Sequence, residues 1–174
     1  MRLAPADLDD PRVRALLVHH MRESHANTAP GSAHALDVDG LRTPDIRLLA
    51  AWSEDGELLG VGALRRLGAG HGELKSMHVA AAGRRRGTGR AILRALMDAA
   101  RAQGLERVSL ETGSWPHFAP ARALYAAEGF SECAPFGAYR ADPNSVFMTR
   151  ALDDAPAAPG DAVSRPPSDE RARG

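Results

Sequence analysis

Hydrophobic positions along the chain change period several times, and each change marks an element. Val13, Leu16, Leu17 and Met21 recur at helical spacing behind Asp10-Pro11, an N-cap acid followed by a proline at the first helical position. This predicts a helix running to about Ser24. Residues 25–43 have no clear period and hold Pro30, Gly31 and Gly40, so they read as a loop that could include one short helix. Two apolar segments, 46–52 and 58–64, flank Ser53-Glu54-Asp55-Gly56, and the Asp-Gly pair predicts an antiparallel hairpin. After Gly68, Gly70 and Gly72 a third strand is expected over 73–79. From Gly87 the period becomes helical again: Ile92, Leu93, Leu96, Met97 and Ala100 share one face of a helix that stops before Gly104. A strand at 108–112, a helix at 120–127 closed by Gly129, and strands at 130–134 and 146–150 complete the pattern. Residues 73–112 form a β-α-β unit, expected to be a right-handed parallel crossover.

Composition narrows the possibilities. A length of 174 residues suits one core, and the pattern assigns it to residues 1–152. Residues 153–174 turn to Ala, Pro, Asp, Ser and Arg with almost nothing to bury and are expected to be a disordered tail. No apolar run is long enough to cross a membrane, and Arg2, Asp7, Asp9 and Asp10 leave no room for a signal peptide, so a cytoplasmic protein is expected. Cys133 is the only cysteine, and the seven histidines show no zinc spacing, so no metal is expected. The net charge is zero, but residues 84–107 carry seven basic against two acidic side chains, and a local excess of +5 favours an anionic ligand. Lys75 is the only lysine among the 22 basic residues.

The basic excess surrounds a strand-to-helix junction, Ala80-Ala81-Ala82-Gly83-Arg84-Arg85-Arg86-Gly87-Thr88-Gly89-Arg90. Glycines there let successive amide N–H groups converge at the positive end of a helix, which is how backbones hold phosphate. Neither the dinucleotide fingerprint nor the Walker loop fits the spacing. Arginine, two residues, glycine, one residue, glycine does: Arg84, Gly87 and Gly89 resemble the signature of the GNAT superfamily of N-acetyltransferases. Leu124-Tyr125-Ala126-Ala127-Glu128-Gly129-Phe130 is similar to a second landmark of that family. His34-Ala35-Leu36-Asp37 and Pro143-Asn144-Ser145-Val146-Phe147-Met148 resemble a branch of small bacterial stand-alone members.

The resemblance covers residues 2–152 and implies an α/β GNAT fold: a mixed, mostly antiparallel sheet of about six to seven strands, helices on both faces, and the β-α-β unit binding a pyrophosphate. It implies acetyl-CoA as co-substrate and direct attack by an amine in a ternary complex. The pyrophosphate would lie on the amides of Arg85, Arg86, Gly87, Thr88, Gly89 and Arg90, with Arg84 shaping the loop. The pantetheine arm would run along Met77, His78 and Val79, and the Val79 N–H would stabilise the oxyanion. An ammonium with a pKa of about 10 must lose a proton first, so a base is needed. Glu73 is the first candidate, six residues before Val79 and on the same face by strict alternation; Glu111 is the second. Tyr125 matches the family's general acid. Phe118 stands where the family often has an asparagine for the pantetheine arm.

Plain alternatives accompany these roles. Arg84–Arg86 could be a solvated face, Tyr125 a core aromatic, and Glu73 a partner of Lys75 or Arg65. Asp37, Tyr139 and Asp142 are candidate acceptor-binding residues, because carboxylates attract an amine. The expected acceptor is a small-molecule primary amine, with no nucleic acid or membrane partner and with pairing into a homodimer open. The rival readings are a nucleic-acid-binding module using the arginine cluster, against which the zero net charge and the few aromatics among those arginines speak, a non-catalytic acyl-CoA sensor, and acetylation of a protein N-terminus or lysine.

Overall fold

The computed structural model describes residues 1–152 apart from 33, 35, 36 and 69. Its elements are β1 (Arg2–Pro5), α1 (Pro11–Ala26), β2 (Ile46–Trp52), β3 (Leu58–Gly68), β4 (His71–Val79), α2 (Thr88–Ala102), β5 (Arg107–Gly113), α3 (Ala119–Ala127), β6 (Ser131–Glu132) and β7 (Ser145–Ala151). One seven-stranded sheet has the order β1-β2-β3-β4-β5-β7-β6. Every pairing is antiparallel except β4 with β5, where α2 carries the chain back across the sheet. Helix α1 starts as the sequence predicts, with the Asp10 side chain accepting from the Arg12 N–H and Pro11 in the first turn. The predicted tail, 153–174, lies outside the described residues.

Differences from the sequence pattern have local causes. β1 is too short for its four residues to show a period, and it exists because Arg2 through Pro5 pair with Trp52 through Leu49. β3 runs on to Gly68 because Arg65 and Arg66 find partners in Glu73 and Gly72 across the turn. The expected strand at 130–134 shortens to β6, followed closely by Pro135, which has no N–H to offer a ladder. Among the described residues of 27–45 there is no helix, only turns and bends.

Strand β2 is buried almost continuously because the sheet is covered on both faces. Leu48, Ala50 and Trp52 pack with Val13 and Leu17 of α1, while Leu49 and Ala51 join Ile92, Leu93 and Leu96 of α2 on the other face, together with Tyr125 of α3. Glycines bring α2 close to the sheet. A Cβ on Gly62 would come within 2.5 Å of the Met77 sulfur and 2.7 Å of Ile92.

Two departures from regularity shape what lies between β4 and β5. Their parallel ladder ends at Leu74↔Leu110, after which β4 stays with β3 and β5 stays with β7, so the sheet forks. In addition, the β3–β4 register shifts between Val61 and Ala63, and Ser76 has φ 51. One extra residue in β4 reverses its pleat. Leu74 before the bulge and Val79 after it both face α2, although they are an odd number of residues apart; Val79 lies against Gly83 and Gly89. Glu73 therefore faces α1, opposite to Val79, and strict alternation fails for that pair.

Candidate active site

Helix α2 begins without the usual means of satisfying its first N–H groups. Its N-cap is Gly87, at φ 76, with no side-chain cap, and its first turn holds no acidic residue. The first intrahelical bond runs from the Ala91 N–H to the Gly87 carbonyl, leaving the N–H groups of Thr88, Gly89 and Arg90 without helical acceptors. Arg85, at φ 57, adds a second left-handed residue just upstream. Thr88 is 1% exposed and its hydroxyl has no partner among the described residues. An open helix N-terminus, two left-handed residues and an orphaned hydroxyl have the geometry of an anion cradle, into which a pyrophosphate such as that of coenzyme A would fit. The cradle is also shaped for close approach: a Cβ on Gly89 would lie 3.3 Å from Leu124 and from Val79.

From this cradle a cavity of about 790 Å³ runs into the fork between β4 and β5. The Ala80 N–H bonds the Leu59 carbonyl, so in the alternating antiparallel pattern the next pair, Val79 opposite Gly60, is not hydrogen-bonded. The Val79 N–H thus points away from β3, toward the fork. Tyr125 of α3 and Glu111 of β5 line the same cavity. Burial, helped by the Glu111 charge, pushes the Tyr125 phenol far above its ordinary value and keeps it protonated. Burial likewise raises the Glu111 carboxyl above 4.5, although the Ser145 hydroxyl donates to it at 2.7 Å. A carboxyl raised toward neutrality is suited to accepting a proton.

Of the ten positions expected to hold the coenzyme, Met77, His78, Val79, Arg84, Arg85, Gly87, Thr88, Gly89 and Arg90 line the cavity. Arg86 does not; it bonds the Ala82 carbonyl. Phe118 lines the cavity as an apolar wall, with its ring where a Cβ on Gly113 would stand. Glu73 is absent from the lining: it is 3% exposed, paired with Lys75 at 3.0 Å, and accepts from the Tyr139 hydroxyl at 2.5 Å. The predicted acceptor residues are elsewhere too. Asp37 caps the Gly40 N–H, Asp142 accepts from Asn144, and Tyr139 sits among Phe136, Phe147 and His34. None of the three lines the cavity.

Sequence reasoning missed the wall opposite the cradle. It is built by His20, Glu23, Ser24 and Thr28 in and after α1, by Ser32 and His34 further on, and by Lys75 and Ser76 at the bulge. The only signals in the sequence are the polar spacing on one side of α1 and the isolated lysine. His78 meets His19 edge-on and His20 at a tilt, with ring centroids 5.3 and 5.2 Å away. Burial first, and neighbouring imidazoles second, hold both His20 and His78 down to about 4, so they are neutral at pH 7.

A sequence model of the acetyltransferase (GNAT) family matches residues 14–130. The uncharacterized N-acetyltransferase YsnE of Bacillus subtilis is 43% identical over 152 residues, 87% of this chain and all of that one. The uncharacterized N-acetyltransferase YedL of Escherichia coli is 42% identical over 146 residues, 84% of this chain and 91% of its own length. Among solved structures, one described as an acyl-CoA N-acyltransferase of Klebsiella pneumoniae superposes with a TM-score of 0.72 at 28% identity, covering 87% of this chain and 97% of that one.

Proposed function

The chain belongs to the acetyltransferase (GNAT) family, and from that premise we propose that it moves an acetyl group from acetyl-CoA to the amino group of a small molecule, with Glu111 as base and Tyr125 as proton donor. The observation that carries this reading is the single cavity joining the cradle of α2 to the fork, with Glu111, Tyr125 and the Val79 N–H around one space. Acetyl-CoA supplies the acyl group as a thioester, activated for attack by nitrogen. Thr88, Gly89 and Arg90 offer their N–H groups to the pyrophosphate, with Arg84 and Arg85 adding positive charge.

Glu111 takes a proton from the acceptor ammonium, leaving a neutral amine whose nitrogen bonds to the carbonyl carbon as the carbon–sulfur bond breaks. The Val79 N–H stabilises the oxygen that becomes negative during attack. Tyr125 protonates the departing sulfur, and the proton shed by the new amide nitrogen restores the phenol. Transfer from a phenol near 10 to a thiolate near 8.5 costs about 2 kcal/mol, and burial of Tyr125 adds to that. Donation is therefore favoured only as negative charge develops on the sulfur. What supports Glu111 over Glu73 is place: Glu111 lines the cavity, whereas Glu73 lies behind Lys75 and Tyr139 and does not reach it.

Two measurements test the reading. Calorimetry should detect coenzyme A binding to the wild type and none to Gly89→Glu, whose side chain puts bulk and like charge in the cradle. Thiol release from acetyl-CoA should occur with at least one small amine and lapse in the same variant. Coenzyme binding unaffected by Gly89→Glu would remove the cradle assignment.

A further inference from the structure

The far half of the cavity carries two groups of opposite charge side by side. Lys75 and Glu111 are the first residues beyond Leu74 and Leu110, the last rung of the parallel ladder. Both leucines belong to the core under α2, so alternation sends the next residue of each strand to the α1 face. Both line the cavity there. Lys75 has a side chain only 9% exposed and gives two of its three N–H donors to Glu73 at 3.0 Å and Tyr139 at 2.8 Å. Among the described residues nothing takes the third. Ser76 follows directly, 7% exposed, with a hydroxyl that has no hydrogen-bond partner among the described residues. Buried donors left unmade are destabilising, and both of these adjoin the cavity. Across the fork, Glu111 uses Oε1 to accept from Ser145 and has Oε2 without a partner among the described residues.

Two donors on one prong and an acceptor on the other match a molecule that carries an acid and an amine together. Resting on the acyl-transfer reading, we propose that the acceptor is an amino acid, its carboxylate received by the Lys75 ammonium and the Ser76 hydroxyl and its amino group meeting Glu111. Residue type agrees. All other basic residues of this chain are arginines, yet the position that must serve Glu73, Tyr139 and a third acceptor at once is a lysine, whose three donors radiate from one atom. A simple amine would bring a cation to Glu111 and leave the Lys75 and Ser76 donors empty, whereas a zwitterion satisfies all three.

The test compares each amino acid with the amine made by removing its carboxyl group: lysine with cadaverine, tyrosine with tyramine, histidine with histamine. Thiol release from acetyl-CoA is read with the full chain. The amino acid of at least one pair should show kcat/KM about tenfold or more above its amine. Ser76→Ala should raise KM for that amino acid several-fold while the coenzyme A Kd stays unchanged. Because Lys75→Met alone strands the Glu73 charge, the pair Glu73→Gln with Lys75→Met removes both charges together, and it should raise the same KM further. Amines turned over as well as or better than their amino acids overturn the acceptor assignment but leave acyl transfer standing. A wild-type KM in both variants also overturns it. No thiol release with any compound sinks both readings.

Discussion

Glu73 and Glu111 show how far a single carboxylate's role depends on its surroundings. Both are acidic residues on adjacent strands, and Glu73 has the more suggestive spacing from Val79. The bulge at Ser76 puts Glu73 on the opposite face from Val79, and Lys75 and Tyr139 cover its carboxylate, while Glu111 lines the cavity with a raised carboxyl. The sign of that shift makes a prediction. Glu111 stays protonated to a higher pH than an ordinary glutamate, so the acidic limb of kcat/KM should fall above 4.5. Glu111→Gln should lose that limb and lower kcat about 10²-fold or more, as removal of a general base does. A pH–rate profile retaining the limb in this variant would transfer the role elsewhere.

Among the elements, β4 does most of the positioning. It pairs with β3 along its whole length and with β5 for only four residues, and the bulge decides which side chains reach the fork. Glu73 contributes here as the buried partner that makes a lysine tolerable beside the cavity. Glu73→Gln keeps the shape but leaves Lys75 without its counter-charge, so a loss of about 3 kcal/mol or more is expected. That corresponds to a fall in Tm of roughly 10 °C. The acidic limb of kcat/KM should survive in this variant, in contrast to Glu111→Gln. A melting curve matching the wild type would mean the pair is energetically idle.

Across the whole molecule, the two hydrophobic clusters are joined by one sheet, and the histidines tie α1 to the last residues of the central strand β4. His20 and His78 are held near pKa 4 in the fold against 6.5 when free. Between those values the unfolded chain binds protons that the folded chain refuses. Stability should therefore be full above about 6.5, fall as the pH drops toward 4, and level off below. Thermal melting from pH 7.5 to pH 4 should show this decline, and replacing both histidines with glutamine should flatten it. A wild-type Tm independent of pH over that range contradicts the burial of the pair.

Much was legible without coordinates because short-range physics sets it. The period of Ile92 through Ala100 specifies α2, Asp55-Gly56 specifies a hairpin, and Arg84, Gly87 and Gly89 mark a cradle because backbone freedom at a helix start is a local property. The wall opposite the cradle was not legible. His20, Thr28, Ser32, Lys75 and Glu111 come from segments whose adjacency depends on where the parallel ladder stops, and the facing of Glu73 depends on one inserted residue in one strand. Sequence by itself determined most of the elements, the open glycine junction at the start of α2 and the family resemblance. Only the tertiary structure decided which carboxylate meets the cavity, because side-chain parity and strand divergence are fixed by pairing between distant segments and not by neighbours along the chain.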